Sequence, residues 1–276
     1  MKRSQLFASV AVVALTAAAS CSSSGNKGTT TSTSGSASTA ASATTGGLGG
    51  HGGESATSTT AGSTTGTGGS ATGTGGAAGP PTAANLSKLV KTCNQVSNGL
   101  YKAKTDSPSA TIAICKLNGA FFWNADLDVD CDGKQTAQCS LATDPAYQSQ
   151  TSATDSMGNP LDAAVLPYVV IPLPDSKFDY LARGIQLGDV VAVLYNGKVV
   201  YGVFGDEGPT DIIGEASYAM AKLLGINPDP STGGTDCCGV TYLVFPGSGA
   251  VVNPIEDHAK ATALGQSLAT TLLQNN

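Results

Sequence analysis

The chain has 276 residues, a formal net charge of −6, 41 % hydrophobic residues and only 12 % charged ones. From residue 84 onward, 11 Lys+Arg stand against 19 Asp+Glu, a net charge of −8. That balance disfavours a nucleic-acid partner and leaves a cationic one open. Residues 1–20 start with Lys2 and Arg3, continue as an apolar run over 6–19 and end in small residues. This is the layout of a secretory signal peptide, too short for a comfortable membrane span. Residues 21–83 are almost wholly Gly, Ser, Thr and Ala, which predicts a disordered tether with nothing to bury. His51, inside this tract, is not expected to be a ligand. The folded part is expected over 84–276, enough for one monomeric domain with a real core.

Within it, Leu86, Leu89, Val90, Cys93, Val96 and Leu100 recur at helical spacing and predict a helix over 85–100. Residues 111–115 and 120–123 read as two strands joined at 116–119. Residues 165–173 form an apolar run with prolines at its middle and end, which suggests a strand near a sheet edge. Residues 190–195 and 198–204 are strands around Asn196-Gly197, a strong type I′ turn signal. Ala216, Met220, Leu223 and Leu224 predict a helix closed by Gly225, with Glu215 in its first turn. A strand over 240–245 and a helix over 253–274 complete the chain, with His258 expected in solvent.

Two stretches carry chemistry. In residues 125–133, Asp126, Asp128, Asp130 and Asp132 alternate with Leu127, Val129 and Cys131. On a strand, all four carboxylates share one face, and their repulsion calls for a compensating cation. That cation is a metal, a basic residue or a cationic substrate. Asp128, Asp130, Asp132 and Gly133 resemble the start of a calcium loop, but Cys139 occupies the position that needs a glutamate, which argues against an EF-hand. No Cys/His spacing suggests zinc, and no cofactor is implied. The second stretch, 201–224, holds Asp206 and Glu215 in a Gly-rich loop between a strand and a helix. Such an arrangement suits an acid and a base around one bond, whereas a turn-former and a helix-start residue are the plain structural alternative.

Six cysteines follow Cys21, and an even number in an exported domain argues for disulfides. Cys131–Cys139 would close a short loop and Cys93–Cys115 would pin the first helix. Cys237 and Cys238 are left as a vicinal pair, among fifteen possible connectivities.

Cys21 follows Ala18-Ala19-Ser20, which resembles a bacterial lipobox with Ala18 where Leu is usual; simple cleavage after Ala19 is the alternative. The blocks at 126–133 (DLDVDCDG), 167–170 (PYVV) and 201–217 (YGVFGDEGPTDIIGEAS) resemble the chitosanases of glycoside hydrolase family 75. That resemblance implies an inverting endo-hydrolase of chitosan, a polymer of glucosamine, while the leader layout and the Cys21 motif imply secretion or a lipid anchor at the cell surface. It implies Asp206 and Glu215 as the essential carboxylates, assigned here as base and acid respectively although the sequence does not decide the order. The aspartates, Asp126, Asp128 and Asp130 among them, are candidates to bind substrate ammonium groups. Trp123 and Tyr168 are candidates to stack on sugar rings, with core packing the alternative for each. The chain departs from the family pattern at Glu207-Gly208-Pro209 and at Leu166, which bears on substrate preference. Residues 206–225 also resemble a segment of double-psi β-barrels, including lytic transglycosylases and family 45 glucanases. The fold expected is therefore mostly β, a six-stranded double-psi-like barrel with peripheral helices. A peptidoglycan lytic transglycosylase and a non-catalytic polysaccharide-binding barrel are the rival functions.

Overall fold

The computed structural model describes residues 80–276. The expected signal peptide, Cys21 and the tether lie outside the described residues. The elements are α1 (Ala83–Leu89), β1 (Cys115–Leu117), β2 (Ala120–Asp130), β3 (Tyr168–Pro172), β4 (Val190–Tyr195), β5 (Lys198–Gly208), β6 (Glu215–Ser217), α2 (Tyr218–Leu224), β7 (Thr235–Val244) and α3 (His258–Asn275).

Six strands close into a barrel in the order β2-β6-β3-β5-β4-β7, with β7 returning to β2 and β1 attached outside as the first arm of a hairpin. The fold is thus mostly β with a few peripheral helices, as expected. β2 runs parallel to β6 and β3 parallel to β5, while the other neighbours are antiparallel. The β4–β5 hairpin turns on Asn196 (φ 45°) and Gly197 (φ 78°), the two positive dihedrals a type I′ turn demands. Alternation then sorts the side chains. Phe121, Trp123, Ala125, Leu127, Val169, Ile171, Val191, Val193, Phe204, Val240, Tyr242 and Val244 form one buried cluster. Phe122, Tyr168, Val170, Ala192, Tyr201, Val203 and Leu243 face the other way, in a cluster with residues of α1 and α3.

Several local expectations change. The first helix is seven residues long, not sixteen, capped by Thr82 and finished at Leu89. Beyond it Cys93 is bonded to Cys115, Gln95 bridges Cys115 and the Val96 N–H donates to the Ile114 carbonyl, so the chain becomes an extended flank of β1. The strand expected over 111–115 starts only at Cys115, because Ile112 pairs with Tyr101 instead. β3 is not an edge strand: it pairs with β5 on one side and β6 on the other, and closure of the barrel leaves no edge there. Its prolines are accommodated at the ends, with Pro167 just before it and Pro172 as its last residue. His258 is half-buried at the start of α3, with Nε2 3.1 Å from the Tyr201 carbonyl, rather than in solvent. The three disulfides pair as 93–115, 131–139 and 237–238. Among the described residues, no helix is long and apolar enough to cross a membrane.

Candidate active site

β5 does not stop at Phe204. It continues through Gly208, so Asp206 and Glu207 belong to a strand and not to a loop. Glu215 likewise lies in β6, not in the first turn of a helix; the helix begins at Tyr218. Ser217 sets this boundary. Its hydroxyl accepts the Met220 N–H as the helix cap, accepts the Tyr168 N–H and donates to the Leu166 carbonyl, which locks β6 onto β3. The helix dipole therefore plays no part at Glu215.

The registers fix the geometry. Asp128 pairs with Glu215, Val170 pairs with Asp206, and the antiparallel Val169–Ala216 pair sets Val170 opposite Glu215. Asp128, Glu215, Val170 and Asp206 thus form one cross-strand row over β2, β6, β3 and β5. Asp206 and Glu215 are two strand spacings apart at the backbone, roughly 9–10 Å. The Glu215 carboxyl leans toward β5: a Cβ built on Gly208 would lie 2.9 Å from Glu215 Oε2 and 2.9 Å from Val170 Cγ1. Only glycine leaves that space open.

This row floors a cleft of about 490 Å³, which Asp128, Asp130, Asp132, Asp144, Asp206, Glu207 and Glu215 line together with Lys104. A larger groove of about 750 Å³ lies between α3, the residues before α1 and the start of β5, but no carboxylate lines it. Its lining includes His258 but no pair of carboxylates to serve as acid and base.

The two carboxyls differ in surroundings. Asp206 is 6 % exposed; its Oδ1 accepts the Ser152 N–H (2.7 Å) and the Glu207 N–H (2.8 Å). Burial raises its pKa, while those hydrogen bonds pull it back toward the ionised form. Glu215 accepts no hydrogen bond of that kind. Burial first, then the negative fields of Asp128, Asp132, Asp126 and Asp206, push its pKa up to about 7. Asp132 is raised to about 6 by burial, and Asp130 is raised well above the ordinary carboxylate range by burial and then by Asp132.

The other expected binders divide. Asp128 and Asp130 reach the cleft. Asp126 does not: it is 0 % exposed, pressed against Gly214. Trp123 is 1 % exposed and stacks on Tyr242 with centroids 5.3 Å apart and an 8° interplanar angle, so its ring is core, not a sugar platform. Tyr168 is also buried, its hydroxyl donating to the Asp132 carbonyl at 3.0 Å. For these two aromatics the core-packing alternative is the one the structure adopts. The basic residue that the aspartate run called for is Lys104, 3.0 Å from Asp128; nothing in the sequence singled it out. Ser152 was equally unmarked, and Gly208 stood out only within the departure from the family pattern at 207–209.

A protein-family model described as fungal chitosanase of glycosyl hydrolase group 75 matches residues 127–272, more than half of the chain. The chain belongs to this family. An endo-chitosanase of Aspergillus oryzae is 34 % identical over 156 residues, covering 53 % of this chain and 63 % of that protein. Endo-chitosanase C of Aspergillus oryzae is 32 % identical over 210 residues, 71 % of this chain and 52 % of that protein. An endo-chitosanase of Aspergillus fumigatus is 36 % identical over 103 residues, 35 % of this chain and 43 % of that protein. The chain therefore spans 43–63 % of the length of these relatives. The matched span contains the whole carboxylate row.

Proposed function

We propose that the protein is an endo-acting, inverting glycoside hydrolase that cleaves β-1,4 glucosaminyl linkages in chitosan. One observation carries the reading: Asp206 and Glu215 stand on either side of Val170 in one row on the floor of an acidic cleft. Two strand spacings, shortened by the lean of Glu215, agree with the roughly 6.5–9.5 Å that inversion needs for a water between carboxylate and substrate. The environments suggest the roles. Glu215, with its pKa pushed to about 7, keeps its proton and gives it to the leaving oxygen as the bond to the anomeric carbon breaks. Asp206, held toward its ionised form by two N–H donors, takes a proton from the water that attacks the opposite face. An acidic cleft suits a cationic polymer, and the family relatives carry the chitosanase name.

The test is reducing-sugar release from highly deacetylated chitosan by the wild type, Glu215→Gln and Asp206→Asn. The reading expects an active wild type and two folded, nearly inactive variants. Release of anhydro-muropeptides from peptidoglycan, with none from chitosan, would instead identify a lytic transglycosylase. Binding to insoluble chitosan without any soluble product would identify a binding module.

A further inference from the structure

We propose that Ser152 is a positioning residue for the base: together with Ala153 it clamps a β-bulge at Gly205 that turns Asp206 onto the cleft face, and it fixes the carboxylate there. The inference rests on the reading of Asp206 as the base of the hydrolysis.

Plain alternation along β5 would not put Asp206 in the cleft. Tyr201 and Val203 lie on the face of Tyr168 and Val170, and Phe204 lies on the other. Counted on by twos, Asp206 would follow Phe204 away from Val170. The register shows how it is re-aimed. Phe204 pairs with Val169 and Asp206 with Val170, so β5 takes two steps where β3 takes one, and Gly205 is the extra residue. A bulge of this kind redirects the side chains that follow it. Asp206 thereby joins Val170, while the Glu207 carboxylate accepts the Tyr180 hydroxyl at 2.5 Å.

A bulge interrupts the strand ladder, and the polar groups it frees need other partners. Residues 152 and 153 supply them. The Ala153 N–H donates to the Gly205 carbonyl (3.1 Å), the Ser152 N–H donates to Asp206 Oδ1 (2.7 Å), and Ser152 Oγ accepts the Glu207 N–H (3.2 Å). Three successive residues of β5 are held by two residues of one loop. The loop is itself braced, since the buried Thr151 hydroxyl donates to the Ala153 carbonyl (2.7 Å) and accepts the Leu161 N–H (2.9 Å). The bulge has no room for a side chain: a Cβ on Gly205 would lie 2.7 Å from Tyr168 Cβ and 2.9 Å from Leu161 Cδ1. Thr151 and Ala153 are buried but Ser152 is exposed, so the core does not require its hydroxyl.

The titratable groups around Asp206 are Glu207 on its own strand, Glu215 on β6, Tyr168 on β3, Asp130 on β2 and Asp132 just beyond it. Burial and these acidic neighbours disfavour its charge. Ser152 opposes them through both its N–H and its hydroxyl.

The experiment is the pH dependence of kcat and KM for the full chain on highly deacetylated chitosan. Ser152→Ala keeps the N–H and removes the hydroxyl. It should lower kcat by about 10- to 100-fold with KM unchanged. Its acidic limb should move to higher pH, because the base now binds its proton more readily. Ser152→Thr should restore both. Ser156→Ala, on the same loop but with its hydroxyl donating to Glu256, should change neither. Thermal melts confirm folding, and Ser152→Gly serves if Ser152→Ala is unstable. An acidic limb that stays in place in Ser152→Ala, a loss expressed in KM alone, or a loss that Ser152→Thr does not repair overturns the proposal and leaves the chitosanase reading standing. A wild type that does not cleave chitosan overturns that reading, and this inference with it.

Discussion

β2 and β5 are both eleven residues long, and both change character partway along. The first half of β2 carries Phe121, Phe122 and Trp123, all buried and paired with β7. Its second half carries Asp126, Asp128 and Asp130. β5 begins with Val199, Val200, Tyr201 and Val203 beside β4 and ends with Asp206 and Glu207 at the cleft. One half of the barrel therefore gains stability from apolar cross-strand contact. The other half gathers carboxyls that repel one another and are held partly out of water, which opposes folding. The two halves are continuous through single strands. The apolar half supplies the rigidity that keeps the acidic row in register, so function should be separable from stability by mutation.

The sharpest separation is at the row itself. Glu215→Gln and Asp206→Asn are each expected to cut the turnover of chitosan by about 10²–10⁴-fold. Glu215→Gln should also melt no lower than the wild type at neutral pH, because the charged form it removes is disfavoured in the fold. A drop in melting temperature that parallels the drop in rate would merge the two halves. The reverse substitution is Trp123→Ala, expected to cost about 3–5 kcal/mol of stability by denaturant unfolding while the rate per folded molecule is retained. Gly208→Ala comes next. The new methyl would displace the Glu215 carboxyl, and a shift of that size costs on the order of 10²-fold in rate. Its melting temperature should fall little, which distinguishes misplacement from unfolding.

The smallest expected effects are in pH dependence. Asp126, Asp189 and Glu215 all have folded-state pKa values of about 7, raised mainly by burial. Their unfolded values are near 4. Between those limits the folded state binds more protons than the unfolded one, so stability falls as pH rises from about 4 to 7. Melting temperatures read across that range should decline toward neutrality. Asp189 is buried with one oxygen accepting the Gln186 N–H and lies outside the cleft. Asp189→Asn should flatten the decline without altering turnover. Activity should in turn fade above about pH 7 as Glu215 loses its proton, and that limb should stay where it is in Asp189→Asn.

Much of the apolar half was legible because its signals are local. Asn196-Gly197 dictates a turn whatever surrounds it, and the alternation in 190–204 fixes which side chains face which cluster. The Asp206 and Glu215 pair was legible through family wording rather than through periodicity. Their setting was not. A three-residue strand such as β6 is too short to show alternation, so Glu215 was assigned to the helix that starts three residues later. The 85–100 helix failed because the contacts that end it, the Cys93–Cys115 bond and the pairing of Gln95 and Val96, are made with a segment some twenty residues away. The burial of Asp126, Trp123 and Tyr168 is likewise a product of barrel closure, and Lys104 reaches Asp128 from a segment held by Lys102 against residues 211–213, contacts that no window of sequence contains.

The central claim is that Asp206 and Glu215 act from opposite sides of the bond, with Val170 between them. The most direct measurement is the anomeric configuration of the first product, read by proton NMR within minutes of adding the wild type to highly deacetylated chitosan. A new α-anomer that only later mutarotates is the predicted result. A β-anomer formed first would mean that one carboxylate attacks the sugar directly, and would contradict the account.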